Sequence, residues 1–351
     1  MDYLNSYQAA CIQTTTQVVV SNNPKDQDRV IAGNVKRLQE LIEWTYYQSD
    51  GRAKLMVTGE YALMGTYRPR TIDEWLGLAL PIPNQFTDEL AGTAKQFKCY
   101  IATHFMEKDP NFDGMLFDTA VIINPEGEIA LRYRKHNGPN NLNVQYMAPG
   151  DVYDKYVKLY GQESLFPVID TPLGKLGCFI CYDLNFPEVA RCLTLNGAEV
   201  LIHLTASTVT LSQHWEELKV ARAWENAAYL VSADVGPWTD SRWPLQFSQG
   251  SSTIVSYTGD VIGSSNGPGE RVVTAEINLA PLRKRRESLI PHQVNPFFQL
   301  RASLYAEEYR RAKAWPLNSF TETPMRDRME ANEIAKNVMA GWYNRGTLKR
   351  P

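Results

Sequence analysis

The chain has 351 residues, of which 44% are hydrophobic and 21% are charged, and its formal net charge is −3. This length can bury one large α/β core, and the near-neutral charge excludes the basic surface that binding to nucleic acid or an anionic membrane requires. Five cysteines are too few for a disulfide framework, and the first residues lack the basic and apolar segments of a signal peptide. We therefore expect a cytoplasmic protein with no membrane span.

Alternating strands and helices are predicted for the first 135 residues from the spacing of the apolar side chains. The predicted helices cover 30–47 and 86–97. The predicted strands cover 7–13, 53–58, 99–105, 118–123 and 128–134. The sequence Pro125-Glu126-Gly127 predicts a hairpin between the last two of these strands.

The alternation continues to about residue 280 and then stops. The elements predicted there are a strand at 199–204, a helix at 215–228, a strand at 229–233, a hairpin of 251–257 with 259–262, and a strand at 270–277. The basic run 283–286 is interpreted as a solvated helix end, because one short cluster does not make a basic face. Charged helical segments at 306–314 and 327–343 indicate an appended extension. The pattern predicts an α/β protein with mixed sheets, because hairpins interrupt the helix–strand alternation.

The most informative stretch is Gly174–Glu188, which has the pattern of an apolar strand, a tight turn and a helix, with Cys181 at the bend. Asn185 is predicted to cap the helix and Pro187 to lie in its first turn. A thiol at a helix start is biased towards the thiolate, and the backbone N–H groups around it can stabilise an oxyanion. Cys181 is therefore a candidate nucleophile.

Other interpretations of Cys178 and Cys181 remain open at this point. A cysteine beside a buried strand is most often a small hydrophobic residue. A zinc site would need a second CxxC or a suitably spaced histidine pair, and the chain has neither. A redox pair is disfavoured because Cys178 falls inside the apolar strand pattern, although the spacing alone does not exclude it.

Two further charged residues occupy unusual places. Glu60 follows the apolar run 53–58 inside a glycine-flanked bend. Lys135 falls on the same, apolar side of its strand as Leu131 and Tyr133, because alternate residues of a strand share a face. Taken alone, these two residues could form a buried structural ion pair as readily as a catalytic site.

The stretch Gly177–Glu188 resembles the nucleophile signature of the nitrilase, or carbon–nitrogen hydrolase, superfamily. Further motifs agree in order along the chain: His214-Trp215, Ala221–Asn226 and Gln249–Ser252. The resemblance covers roughly 7–285. It implies a four-layer αββα sandwich with two mixed β-sheets for a domain at 1–290, with a C-terminal helical extension at 291–351.

The resemblance also implies roles for individual residues. Cys181 would be the nucleophile, Glu60 the base that takes its proton and later activates water, and Lys135 the cation that stabilises the oxyanion together with the backbone N–H of Tyr182. Ser207 and Trp215 are further candidates for contact with the substrate.

Two departures from the family pattern bear on the substrate. Many members carry a second Glu in the loop after the Lys, but the loop 136–150 of this chain has no carboxylate. We expect Asn143 or Gln145 in the place of that Glu. Alternatively, Asp151 or a residue of the extension could substitute for it. Members that act on N-carbamoyl amino acids hold the carboxylate with arginines just after the Cys-x-Asp, where this chain has Leu184 and Asn185. A bidentate carboxylate clamp is therefore absent there, and we expect a substrate that is neutral or charged only at its far end.

The leading hypothesis is a cysteine-dependent hydrolase of non-peptide C–N bonds in linear amides, which releases ammonia through a thioester. The alternatives are a nitrilase acting on nitriles, an N-carbamoyl or ureido amidohydrolase, and a catalytically impaired binding protein. The five histidines lack metal-ligand spacing, so we predict no metal and no cofactor. By resemblance, the partners are a small-molecule substrate and further copies of the chain in a homodimer or higher homo-oligomer, with no nucleic acid and no membrane.

Overall fold

A computed structural model describes residues 3–66, 70–138, 146–207, 214–241, 249–265, 267–289, 294–321 and 323–351. The strands in these residues are β1 (Ser6–Gln13), β2 (Thr16–Gln17), β3 (Ala53–Thr58), β4 (Tyr100–Glu107), β5 (Phe117–Ile123), β6 (Ile129–Arg134), β7 (Val168–Thr171), β8 (Gly174–Ile180), β9 (Val200–Leu204), β10 (Tyr229–Ala233), β11 (Trp238–Thr239), β12 (Thr253–Val255), β13 (Val261–Ser264) and β14 (Arg271–Asn278). The helices are α1 (Pro24–Gln48), α2 (Ile72–Leu78), α3 (Gln85–Phe97), α4 (Tyr153–Tyr160), α5 (Pro187–Leu195), α6 (Trp215–Asn226), α7 (Leu279–Glu287), α8 (Pro296–Gln299), α9 (Ala302–Ala312) and α10 (Arg328–Asn344).

Two six-stranded sheets form the centre of the molecule. The strand order is β14-β1-β3-β4-β5-β6 in the first sheet and β13-β12-β10-β9-β8-β7 in the second. Each sheet has two parallel pairings at its centre and antiparallel pairings outside them, so both sheets are mixed, as predicted. Two parallel strands need a long connection between them, and helices supply it here.

The sheets pack face to face with helices on the outside. Cys11 and Val57 from the first sheet share one buried cluster with Phe179 and Leu204 from the second. The buried residues of α1 and α3 form another cluster on the outer face of the first sheet, and α5 and α6 lie along the second sheet. The four-layer αββα prediction is confirmed, and each buried side chain of this kind stabilises the fold by about 1.5–3 kcal/mol.

Helix α1 begins six residues before the predicted start at 30. The Asn23 side chain accepts a hydrogen bond from the Lys25 N–H, and Pro24 occupies the first helical position. Both features favour a helix start, but the residues that follow are polar, so apolar spacing alone missed this turn.

The basic run 283–286 lies in the C-terminal half of α7, near the helix end as predicted, but its arginines are not simply solvated. Arg283 pairs with Glu199 at 2.6 Å, and Arg286 donates a hydrogen bond to the Ala198 carbonyl oxygen at 2.6 Å. Arg285 donates to the carbonyl oxygen of Tyr257. These arginines hold α7 against neighbouring connections, which the local sequence could not reveal.

The C-terminal extension contains helices, as predicted, and part of it packs back on the rest of the chain. The Trp315 indole N–H donates to Asp151 at 3.0 Å, and Phe320 joins a buried cluster with Val152 and Tyr156. By contrast, α9 buries none of its residues. No helix within the described residues has both the length and the apolar character needed to cross a membrane.

Candidate active site

The structure brings Glu60, Lys135 and Cys181 together from the ends of three strands. Glu60 follows β3 and Lys135 follows β6 in the first sheet, whereas Cys181 directly follows β8 in the second. The Lys135 ammonium donates to Glu60 Oε1 at 2.6 Å, and the Cys181 thiol is close enough to the Glu60 carboxyl group for the two to interact electrostatically. All three side chains are buried, so their charges interact with little screening by water.

Cys181 sits at a sharp bend, but no long helix starts there. Its backbone φ is +47°, in a region that residues other than glycine rarely adopt, and such a conformation costs of order 1–3 kcal/mol. One short 3-10 helix spans Cys181–Asn185, and α5 begins only at Pro187. The rest of the fold must hold the strained backbone, which places the buried thiol at the end of β8.

The predicted helix cap at Asn185 is wrong. Phe186 occupies the cap position and makes no side-chain capping bond. The Asn185 amide instead donates to the Tyr182 carbonyl oxygen at 3.1 Å and accepts a hydrogen bond from the Trp215 indole N–H at 3.2 Å. The Asn185 side chain, which the sequence assigned to helix capping, therefore bonds to Trp215 on the neighbouring α6 instead.

The predicted bias of Cys181 towards the thiolate is also wrong. Burial raises the pKa of the thiol well above its ordinary value, and the neighbouring Glu60 carboxylate adds to the increase. The helix-start effect does not compensate because α5 begins six residues further on. The thiol therefore keeps its proton until a base removes it.

The pKa values of Glu60 and Lys135 are both raised. Burial raises the pKa of Glu60 to about 8, although Lys135 acts in the opposite direction. Burial alone would lower the pKa of Lys135, but the carboxylates of Asp118 and Glu60 reverse this and raise it well above its ordinary value. A carboxyl that titrates near neutral pH beside a permanent cation is suited to proton transfer.

Sequence reasoning missed several polar residues around these three side chains. Asp118 on β5 accepts a hydrogen bond from Lys135 at 3.1 Å, and His104 on β4 contacts Asp118 at 2.8 Å. The Tyr146 ring lies 5.0 Å from the Lys135 ammonium, and the His203 ring contacts the Cys181 carbonyl oxygen at 3.1 Å. A charged or polar residue inside an apolar strand pattern was the available signal for Asp118 and His104.

The remaining predicted site residues are placed less decisively. Asn143 and Gln145 lie outside the described residues. Tyr182 is half-buried next to Cys181, and Ser207 is buried, with its backbone N–H donating to Asp234 at 2.9 Å. Asp151 binds the Ala148 N–H and the Trp315 indole, so within the described residues its hydrogen bonds lie outside the Glu60–Lys135–Cys181 group.

One group of side chains in the site has ligand atoms that a metal could use. One oxygen or nitrogen from each of Glu60, His104 and Asp118 lies within 4.8 Å of the others. The Lys135 ammonium contacts both carboxylates of this group and already supplies a positive charge there. The prediction of no metal therefore stays a prediction, and the contacts of Lys135 support it.

The chain is similar to known proteins over most of its length. The model of the carbon-nitrogen hydrolase family matches residues 8–287. A formamidase from Bacillus cereus is 29% identical over 278 residues, 78% of this chain and 74% of the relative, and the human omega-amidase NIT2 is 30% identical over 232 residues, 66% and 78% of the two chains. The crystal structure of Saccharomyces cerevisiae Nit3, described as a member of the nitrilase superfamily, aligns with a TM-score of 0.62 at 22% identity and covers 82% of this chain and 96% of its own. The chain therefore belongs to the carbon-nitrogen hydrolase family and has amidases among its relatives.

Proposed function

We propose that this protein is a cysteine-dependent amidohydrolase that cleaves the C–N bond of small linear amides through a thioester and releases ammonia. The observation that carries the proposal is a buried group in which Glu60 contacts the Lys135 ammonium at 2.6 Å and interacts electrostatically with the Cys181 thiol. A nucleophile, a base and a fixed cation are the three groups that attack on an amide carbonyl needs.

In the first half of the reaction, Glu60 takes the thiol proton as the Cys181 sulfur forms a bond to the carbonyl carbon. The tetrahedral intermediate carries a negative oxygen, which the Lys135 ammonium and the Tyr182 backbone N–H stabilise. Removing one such donor typically raises the barrier by about 3 kcal/mol. Glu60 then returns the proton to the amide nitrogen, the C–N bond breaks, and ammonia leaves with the acyl group attached to sulfur.

In the second half, Glu60 takes a proton from a water molecule, whose oxygen attacks the thioester carbon. The second tetrahedral intermediate uses the same donors. When it collapses, the C–S bond breaks, the sulfur recovers a proton, and the carboxylic acid product is released. One carboxyl group therefore serves both halves, which requires a pKa near the working pH.

The substrate is expected to be neutral near the reacting carbon. Leu184 is fully buried, and the Asn185 amide is occupied by Trp215 and Tyr182, so neither residue offers a cation to a substrate carboxylate. The relatives are named formamidase and omega-amidase, which supports small amides as the first compounds to test.

The test is ammonia release from a panel of formamide, short aliphatic amides, omega-amides, ureas, N-carbamoyl amino acids and nitriles. We expect amides to be hydrolysed and Cys181→Ala to lower the rate by at least about a thousandfold. Cys192→Ala, which changes a half-buried thiol on α5, is the matched control and should keep the wild-type rate. Mass spectrometry of the wild-type protein with substrate should show the acyl group on Cys181.

Other outcomes would contradict the proposal. Preferential turnover of nitriles would indicate a nitrilase, and preferential turnover of N-carbamoyl amino acids would indicate a ureido amidohydrolase. Binding without turnover, and without labelling of Cys181 by an electrophilic amide analogue, would indicate a binding protein.

A further inference from the structure

A chain of polar side chains crosses the first sheet underneath the candidate active site. It runs from Glu60 after β3, through His104 on β4 and Asp118 on β5, to Lys135 after β6. These four strands are neighbours in that order in the sheet. Glu60 and Lys135 contact each other directly, and they are also linked through the Tyr61 N–H, His104 and Asp118.

Asp118 contacts a histidine, a lysine and a tyrosine. One carboxylate oxygen, Oδ1, lies 2.8 Å from His104 Nε2, and the other, Oδ2, accepts from the Lys135 ammonium at 3.1 Å. The Tyr61 hydroxyl also approaches Oδ2, at 3.4 Å. Because Asp118 is fully buried, these contacts replace the solvation that an ionised carboxylate would have in water.

His104 connects Asp118 to the backbone beside Glu60. Its Nδ1 atom accepts a hydrogen bond from the Tyr61 N–H at 3.1 Å, so Nε2 carries the proton that is donated to Asp118. Tyr61 has a φ of +59°, a conformation that its surroundings must maintain. Asp118 is thereby connected through His104 to the backbone next to Glu60.

The loop after Lys135 has no carboxylate between residues 136 and 150, yet the structure places two carboxylates on the ammonium, those of Glu60 and Asp118. We propose that Asp118 is the second carboxylate of this site, a positioning residue that keeps Lys135 paired and charged while Glu60 gains and loses the proton. This inference rests on the proposed amide hydrolysis and assigns a role to a residue outside the Glu–Lys–Cys group.

The pKa directions agree with this division of roles. Burial raises the pKa of Glu60, and Asp118 raises it further. Burial would also raise the pKa of Asp118, but Lys135 and His104 lower it below its ordinary value. Two carboxyl groups whose pKa values are driven apart mark which one transfers protons and which one stays ionised.

The other groups that face this pair are few in the described part of the chain. The titratable side chains from the surrounding elements are His104, Tyr61, Tyr146, Lys135 and Cys181. Tyr61, Tyr146 and Cys181 have pKa values raised well above ordinary, so they stay neutral near neutral pH. When Glu60 is protonated, Asp118 is therefore the anion that remains in contact with Lys135.

The test compares Asp118→Asn with Asp109→Asn in the full chain. Asp109 also pairs with a buried cation, Arg134, whose side chain points to the opposite face of β6 from Tyr133, so this control breaks a buried ion pair outside the site. We expect Asp118→Asn to shift the acid limb of the kcat/KM profile for an amide to lower pH by about one unit or more, because a negative charge beside Glu60 is lost. The Asp109→Asn limb should coincide with the wild type.

An unshifted limb in Asp118→Asn would overturn the inference, and so would a loss of rate at every pH without a shift, because a purely structural role predicts that result. If the wild type hydrolyses no amide, the proposed function fails. The role of Asp118 can then still be tested by the pH dependence of Cys181 alkylation by iodoacetamide, which reports the ionisation of the site. We then expect the alkylation limb of Asp118→Asn to lie at lower pH, and an unchanged limb would reject the role of Asp118.

A measurement on the wild type covers the case in which Asp118→Asn does not fold. Carboxyl carbon NMR of protein labelled at Asp and Glu reports the ionisation of each group directly. We expect Asp118 to stay ionised from pH 5 to 9 while Glu60 titrates within that range. Titration of Asp118 inside the range, or a Glu60 that is already ionised at pH 5, would overturn the inference.

Discussion

The Lys135 ammonium contacts two buried carboxylates, and these contacts influence the protonation of the surrounding groups. Glu60 and Asp118 together carry one more negative charge than Lys135 neutralises when both are ionised. Removing a proton from the Cys181 thiol would add a further negative charge, so the thiol stays protonated and the proton must move to Glu60 during attack. The site therefore holds the Cys181 thiol proton in a position from which it can be transferred to Glu60.

The pH dependence of amide hydrolysis is expected to follow the ionisation of the Glu60 carboxyl group. Because burial raises its pKa to about 8, the carboxyl is largely protonated below that pH and cannot act as a base. We expect kcat/KM for a neutral amide to rise as the pH increases through about 8. Because such a substrate has no ionisable group, the profile reports the ionisation of the enzyme alone. Activity assayed at pH 8 after incubation at each pH controls for unfolding. A limb near the ordinary carboxyl value would contradict the assignment.

Strand ends, rather than helices, position the reacting groups. Glu60 and Lys135 lie beyond β3 and β6, and Cys181 lies beyond β8 in the opposite sheet. Asp183 joins the two sheets at this point: it accepts hydrogen bonds from the Tyr133 hydroxyl at 2.7 Å and from the Ile180 N–H at 3.2 Å. The element that carries the sulfur is thereby tied to the strand that carries Lys135.

Replacing Asp183 should therefore damage both stability and rate. In Asp183→Ala, the buried donors of Tyr133 and Ile180 and the partly buried N–H of Asn137 lose their acceptor, and we expect the free energy of unfolding in urea to fall by about 2–4 kcal/mol. We also expect kcat to fall, because the bend at Cys181 loses its tie to the first sheet.

The matched control is Asp170→Ala, which removes an exposed carboxylate on β7 in the same sheet. Its stability should change by less than about 0.5 kcal/mol, and kcat should not change. Equal losses in both variants would show that the Asp183 contacts are not the cause.

The extension after residue 290 has two contrasting parts. The segment with Trp315 and Phe320 is docked on the chain's own 150–156 region, whereas α9 exposes Leu304 and Tyr309, each with a relative exposure of 62%. An amphipathic helix with none of its residues buried indicates a surface that another chain could cover. We propose that α9 contributes to a homodimer or higher homo-oligomer.

Light scattering tests this proposal directly. We expect the full chain to have at least the mass of a dimer, and Leu304→Asp to lower that mass because a charge would be placed in the interface. Glu308→Gln changes a neighbouring exposed side chain on the same helix and should leave the mass unchanged. A monomeric wild type, or an unchanged mass for Leu304→Asp with intact folding, would refute the role of α9.

Local patterns in the sequence were sufficient for most of the elements and for the three principal site residues. Strand 53–58 was predicted with the bounds that β3 has, since short apolar runs bounded by turn residues specify strands locally. Lys135 was recognised because a lysine on the apolar side of a strand is costly without a partner. The resemblance to a known family then joined Glu60, Lys135 and Cys181, which no local pattern connects.

The groups surrounding those three residues were decided by the tertiary structure. Asp118 and His104 lie on different strands, and only the order of strands in the sheet brings them between Glu60 and Lys135. The protonation of Cys181 and the partner of Asn185 likewise depend on burial and on α6, which are distant in sequence. The physical reason is that periodicity reports which face of an element is apolar, whereas hydrogen bonds and pKa values depend on which elements meet.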